Sequence, residues 1–287
     1  MMSADPSADW QAWVGRRRSV EDVISSGPLD ALAATLDMER APALPGDALP
    51  CCWHWLYFQQ PTRASQLDVD GHPLRGEFLP PVSLPRRMWA GSRLRFHTPL
   101  RVGDRARRES TILAVDARQG RSGALVFVRL QHEVYRGEAL ALSEEQDLVF
   151  RERPTSNEPP RPTGTEHPEA QWSRRMLPDA VLLFRYSALT FNAHRIHYDR
   201  EYAVDQEGYG GLVVQGPLTA TLLLEVLRNA LPEVQVERFA FRGLRPLLDT
   251  GEIVLSGRRE GNAVQLWALD SKSQLAMQAN ALISCPT

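Results

Sequence analysis

The sequence predicts an α+β protein of two repeated units, each a long antiparallel sheet wrapped around a buried helix. Three observations carry that prediction. The stretch Gly216–Leu227 is apolar nearly all round, as a buried helix is. Strand-like runs separated by turn residues fill both halves of the chain. Two strings echo each other half a chain apart, Phe96-His-Thr-Pro-Leu-Arg-Val-Gly-Asp104 and Phe241-Arg-Gly-Leu-Arg-Pro-Leu-Leu-Asp249.

The elements follow in order. Ser19 is suited to cap a helix beginning Val-Glu-Asp-Val-Ile. Leu29, Leu32, Ala33 and Leu36 recur at helical spacing until Pro42 and Pro45 break it. Trp53, Trp55 and Tyr57 alternate as in a core strand, with an aromatic ligand surface as the second reading. A loop rich in Pro and Gly runs to Pro85. Arg93–His97, Ser110–Val115, Ala124–Leu130 and Glu138–Leu142 then read as strands, with Gly120-Arg-Ser-Gly123 as a hairpin connection. Residues 1–150 form the first unit, the Pro-rich stretch 151–171 is a linker, and 172–287 form the second unit. That second unit opens with apolar Leu177 and Val181–Phe184, followed by a polar stretch, Asn192–Asp205. The buried helix comes next, and Pro217 suits its first turn, where an N–H has no partner. Val234–Phe241, Gly251–Arg258, Ala263–Leu269 and Leu275–Ile283 complete the strands.

Composition excludes several classes. The 287 residues are 43% hydrophobic and 24% charged, with a net charge of −2. No run of one sign offers a general grip on nucleic acid or a membrane, so neither partner is expected. No apolar stretch has the length of a membrane span. MMSADPSADW lacks the basic and apolar regions of a signal peptide. Cys51, Cys52 and Cys285 do not make a disulfide framework or a zinc ribbon, so a cytoplasmic protein is expected. Lys272 is the sole lysine among 33 basic residues, so anions here meet arginine forks. Arg86, Arg87, Arg93 and Arg95 read as a solvated basic face, with phosphate contacts as the second reading.

The densest polar cluster is Thr190-Phe-Asn-Ala-His-Arg-Ile-His-Tyr-Asp-Arg200. It leads through Val213-Val-Gln215 to the helix start at Gly216. A helix N-terminus offers free N–H groups and the positive end of a dipole. A base beside it takes a proton while those N–H groups receive a developing oxyanion. That pairing suits a thioester enolate. Two histidines three apart with Asp199 and no cysteine are a weak metal signal, so no metal is expected. Paired histidines more often donate to backbone carbonyls, and Arg195 and Arg200 read equally well as surface charges.

These residues resemble a known family. Phe191-Asn-Ala-His-Arg-Ile-His197, followed by Gly216-Pro-Leu at a helix start, is similar to the motif of MaoC-like hydratases and dehydratases of the hot-dog fold. Their motif runs Gly-Asp-x-Asn-Pro-(Ile/Leu)-His, with a Gly at the head of the central helix. Ile196-His197 and Gly216 match it. The motif Asp falls on Asn192, its Asn on His194 and its Pro on Arg195. Ser187–Asp199 as a whole resembles the double hot-dog acyl-CoA hydratases that act on itaconyl-CoA and mesaconyl-C4-CoA, as does Gly-Arg-Ser-Gly before a Leu-Val-Phe-Val strand.

The resemblance implies a double hot-dog fold and a hydro-lyase. The expected reaction adds water to a C5 unsaturated dicarboxylyl-CoA and gives citramalyl-CoA. His197 takes the acid/base role, Asn192 holds the water, and the Gly216 N–H receives the thioester oxyanion. His194, Asp199 and Gln215 are expected to line the substrate site. Arg195, then Arg185, are the candidates for the substrate's second carboxylate. Coenzyme A belongs to the substrate, and no separate cofactor is expected. The N-terminal unit carries no pair like His197 and Gly216, so it is expected to widen the acyl pocket. A dehydratase of fatty-acid synthesis, a non-catalytic acyl-CoA-binding protein and a thioesterase are the competing readings. The sequence allows both a monomer of the doubled fold and a homodimer.

Overall fold

Ten strands form one continuous antiparallel sheet whose order is symmetric about its centre. The computed structural model describes residues 10–120, 123–153 and 167–285. The first half holds β1 (Arg17–Val23), α1 (Ser26–Thr35), β2 (Arg86–Phe96), β3 (Arg105–Gly120), β4 (Gly123–Arg136) and β5 (Ala139–Arg151). The second holds β6 (Trp172–Met176), α2 (Ala180–Leu189), α3 (Gly216–Ala230), β7 (Gln235–Gly243), β8 (Ile253–Glu260), β9 (Ala263–Leu269) and β10 (Leu275–Ser284). The order β1-β3-β4-β5-β2-β7-β10-β9-β8-β6 places each strand opposite its counterpart in the other half. The halves join where β2 pairs with β7, Ser92 opposite Phe241 and Leu94 opposite Phe239. The echoed Phe96 and Phe241 strings leave these two central strands.

α3 is the core of the second half. Its residues Leu218 to Leu227 are all buried, and it packs on β8 and β9. Leu223 and Leu255 have no exposed surface, and Leu266 and Phe239 have almost none. Burying a leucine side chain fully is worth about 2 kcal/mol, so this run alone commits the helix to the interior. α2 is capped by Asp179, whose carboxylate accepts from the Leu182 N–H at 2.8 Å. It buries Leu183 and Tyr186 and packs on α1, while Leu177, Val181 and Phe184 face outward.

Three expectations change. Ser19 caps no helix: it lies within β1, opposite Glu109 of β3. The segment alternates in burial, and its charged side chains suit a sheet edge. Trp53–Leu56 is a short 3-10 turn, not a strand. Cys52 has φ 69°, which turns the chain, and the Tyr57 N–H closes on the His54 carbonyl at 3.1 Å. Both sides of this turn are buried, so its aromatic alternation reported no sheet face. Among its described residues the first half also has no counterpart of α3. Its helix α1 is ten residues long, and residues 37–85 form a loop with two 3-10 turns where the second half has its long helix. The expected hairpin is consistent with Gly120 pairing with Gly123, though Arg121 and Ser122 lie outside the described residues. Residues 154–166 of the expected linker also lie outside them. No described helix is long and apolar enough to cross a membrane.

Candidate active site

After α2 the chain turns at Phe191, with φ 50°, and enters the polar cluster. The Asn192 side-chain oxygen accepts from the His194 N–H at 3.1 Å, which leaves its NH2 group as a donor. Arg195–His197 form a 3-10 turn. Its period of three puts His194 and His197 on one face and Arg195 on another. Both histidines are buried, their ring centres 5.3 Å apart.

His197 donates from Nδ1 to the Val213 carbonyl at 2.7 Å. That bond leaves Nε2 as the acceptor. Burial pulls its pKa down to about 4, against the opposing effect of the Val213 bond, so the ring is neutral at pH 7. Three residues after Val213, α3 begins at Gly216, whose N–H has no partner within the helix. The Gln215 side chain donates to the Leu183 carbonyl and to Ser187 Oγ, both at 2.9 Å. These two acceptors fix the amide's orientation. Its Oε1 is then buried with no partner among the described residues.

The loop 37–85 closes on this cluster. Gly71, at φ 91°, touches it so closely that an added Cβ would lie 1.9 Å from the Ala193 carbonyl oxygen. The Arg195 N–H donates to the Asp70 carbonyl at 2.9 Å. The Asp70 carboxylate accepts from His72 Nδ1 at 3.0 Å and from the His72 N–H at 2.8 Å. Burial opposes its charge, but the His72 bonds outweigh burial and hold it well below the usual carboxylate range. The His72 ring lies 4.2 Å from that of His194. Burial, then the charge of Arg87, lowers His72; burial, then His72 and His197, lowers His194. Potential metal-ligating atoms of Asp70, His72 and His194 gather within 4.8 Å. Two of the three, Asp70 and His72, are also bonded to each other.

His197, Asn192, Gly216, His194 and Gln215 all line one cavity of about 770 Å³ between the halves. On its far side the first half supplies an unusually polar wall. Glu144 accepts from Trp55 Nε1 at 3.0 Å and Ser92 Oγ at 2.6 Å, and pairs with His54 at 3.2 Å. Burial opposes its charge, but His54 leads the partners that pull its pKa down to about 2. His132 bridges Ser110 and Gln146, and burial pulls its pKa down to about 4. Arg18, Arg75, Arg87 and Arg108 also face this space.

Three expected residues lie elsewhere. Arg195 bonds Asp199 at 2.8 Å and the Val69 carbonyl at 3.1 Å, and sits over the Tyr202 ring. Asp199 is occupied by that pair and by the Tyr202 N–H. Arg185 is exposed beside α1, near the Ala34 carbonyl. None of the three lines the cavity. The basic face resolves differently as well. Arg93 pairs with Glu145 and Asp147 at the surface, and Arg95 is exposed. Arg86 makes a buried pair with Glu207, and Arg87 turns into the cavity. Strand alternation separates Arg86 from Arg87 and was the available signal. His72 had no signal, because nothing local ties a loop histidine to one far along the chain.

The model of the hydroxyacyl-thioester dehydratase type 2 family matches residues 52–249. The chain is 46% identical to mesaconyl-C(4)-CoA hydratase of Chloroflexus aurantiacus over 275 residues, 95% of this chain and 97% of that one. A MaoC-like dehydratase from Phytophthora capsici superposes with a TM-score of 0.69 at 10% identity, over 94% of this chain and 96% of that one. A Mycobacterium tuberculosis protein described as a double hot-dog fold superposes with a TM-score of 0.56 at 16% identity, over 94% and 96%. The mirrored sheet is that fold, and the chain belongs to the hydroxyacyl-thioester dehydratase type 2 family of MaoC-like hydro-lyases.

Proposed function

We propose that this enzyme adds water to a C5 unsaturated dicarboxylyl-CoA, mesaconyl-C4-CoA or itaconyl-CoA, to give citramalyl-CoA. One observation carries the reading: a neutral His197 with its Nε2 free shares a cavity with the start of α3 and with an arginine-rich wall. The 46% identity to a mesaconyl-C(4)-CoA hydratase supports the substrate class.

The chemistry for mesaconyl-C4-CoA is a conjugate addition. His197 Nε2 removes a proton from water as the water oxygen bonds the β-carbon. The double-bond electrons move to the α-carbon and the thioester oxygen. The Gly216 N–H donates to that oxygen, a contribution on the order of 3 kcal/mol in the transition state. The α-carbon then takes the proton back from His197, so one base serves both steps. The Asn192 NH2 donates to the attacking water, and the unpartnered Gln215 Oε1 accepts from it. For itaconyl-CoA, proton transfer from the α-carbon gives a dienolate at the same oxyanion position; return of the proton to the γ-carbon gives the α,β-unsaturated thioester, and water then adds to its β-carbon.

The arginine-rich wall disfavours the fatty-acid dehydratase reading, because a long alkyl chain would desolvate Arg87 without pairing it. Mass-resolved chromatography with itaconyl-CoA, mesaconyl-C4-CoA and crotonyl-CoA tests the proposal, with His197→Ala as control. The expected result is a gain of one water on the C5 substrates, lost in the control. Turnover of crotonyl-CoA alone, or release of free CoA, would overturn it.

A further inference from the structure

The cavity contains a cation with no contacting anion among the described residues. Arg75 donates to the carbonyls of Val82, Leu84 and Pro85. Arg108 donates to the Phe58 carbonyl, and Arg18 stacks on Phe78. Arg245 pairs with Asp270. Arg87 has no hydrogen bond, ion pair or ring contact among the described residues. The nearby carboxylates hold other donors: Glu144 has three, and Asp70 is bound to His72 and acts on Arg87 only through its charge, without a hydrogen bond or ion pair. A half-buried guanidinium that faces a cavity without a bonded anion is a position that a ligand's anion can complete.

Its place in the site is defined by its neighbours. Arg87 and Trp89 share one face of β2, while Arg86, paired with Glu207, faces the other way. The Trp89 carbonyl lies 3.7 Å from where a Cβ on Gly216 would stand. Arg87 is also close enough for its charge to depress both His72 and His194. It therefore belongs to the reacting end of the cavity.

We propose that Arg87 binds a carboxylate carried directly on the substrate's β-carbon, and so selects dicarboxylyl thioesters over simple enoyl ones. The inference rests on the proposed function and deepens it. Mesaconyl-C4-CoA and itaconyl-CoA both bear their free carboxylate on the β-carbon, the atom that water attacks. Anchoring that group fixes the carbon against His197 and the water held by Asn192. The neutral amide at Asn192 fits the same picture, since a carboxylate there would repel the incoming one.

Equilibrium binding separates this idea from turnover. Succinyl-CoA carries a carboxylate on its β-carbon and cannot be hydrated; butyryl-CoA has a methyl group there. Calorimetry on the full chain should show succinyl-CoA bound at least about tenfold more tightly than butyryl-CoA, the scale of one charge-assisted contact. Arg87→Met should abolish that preference without weakening butyryl-CoA binding, and Arg87→Lys should retain part of it. Equal losses on both ligands would make Arg87 a contact to coenzyme A phosphates and overturn the proposal. A wild-type protein with no preference would overturn it without any variant. If the preference stands but mesaconyl-C4-CoA is not hydrated, the proposed function fails while the anchor survives. If mesaconyl-C4-CoA is hydrated and Arg87→Met changes nothing, only the anchor fails.

Discussion

His197 Nδ1 and the carbonyl of Val213 lie 2.7 Å apart, and this one bond ties the proposed base to the oxyanion site. Val213 pairs with Leu248 on one side, and its N–H donates to the Ile196 carbonyl at 2.9 Å. Three residues later α3 begins. The imidazole and the helix N-terminus are thus set by one short length of backbone, which limits their relative motion.

The bond has a kinetic consequence. Burial holds His197 at about 4, so it stays a base well below the pH at which an exposed histidine charges. kcat/KM for hydration should stay flat from pH 8 to about 5, then fall as the ring protonates. His197→Gln should lower kcat by about 10³-fold with little change in melting temperature. A midpoint near 6.5 in the wild-type profile would contradict this placement.

Stability should follow the same histidines. His132 and His197 both sit near 4 in the folded state, against about 6.5 when unfolded. The unfolded chain therefore binds more protons between those values. The stabilisation is complete above 6.5 and is lost as pH falls toward 4. At pH 5 each ring should cost about 2 kcal/mol relative to pH 7. Urea titrations at the two pH values should show a lower midpoint at pH 5 with an unchanged slope.

Gly71→Ala tests the seam between the loop and the polar cluster. The new methyl meets the Ala193 carbonyl, and the backbone sits at φ 91°, where side chains are strained. The variant should lose about 2 kcal/mol or more and should show reduced kcat, because His194 must move. Normal melting and normal kcat together would mean that this contact opens freely.

Two adjacent arginines should behave in opposite ways. Arg86→Met leaves Glu207 buried and unpaired and should cost about 3–5 kcal/mol. The double variant Arg86→Met with Glu207→Gln should recover much of that loss. Arg87→Met removes a charge with no partner and should leave the melting temperature unchanged or raise it. Thermal unfolding of the three proteins side by side decides the matter.

Arg195→Ala is the selectivity control. Its guanidinium serves Asp199 and the Val69 carbonyl outside the cavity. The ratio of kcat/KM for mesaconyl-C4-CoA over crotonyl-CoA should not change. A fall in that ratio would return Arg195 to the substrate site.

The second half of the fold was legible because its periods are clean. Val234–Phe241, Ala263–Leu269 and Leu275–Ile283 alternate or run apolar as β7, β9 and β10 do. α3 is so apolar that no other element fits it. The first half misled where tertiary context decides. Ser19 reads as a cap only until β3 lies beside it. Trp53–Tyr57 alternates, but every side of that turn meets protein. The candidate site shows the same divide. His197, Asn192 and Gly216 share a cavity, and the sequence could group them because motif and helix start are close in the chain. Arg195 was favoured for its position in that motif, yet the 3-10 turn carries it outward. Arg87 and His72 reach the cavity from the other half, and local pattern cannot report a long-range meeting.

The sheet is a near mirror image of itself, yet among the described residues only one half contains a helix like α3. Two equivalent halves of a hot-dog sheet would offer two places to bind. Here residues 37–85 stand in the chain where the first half would have that helix, and they reach across to the other half through Gly71, His72 and the Asp70 carbonyl. The stoichiometry follows: titration with an unreactive dicarboxylyl-CoA should saturate at one ligand per polypeptide, however many copies assemble.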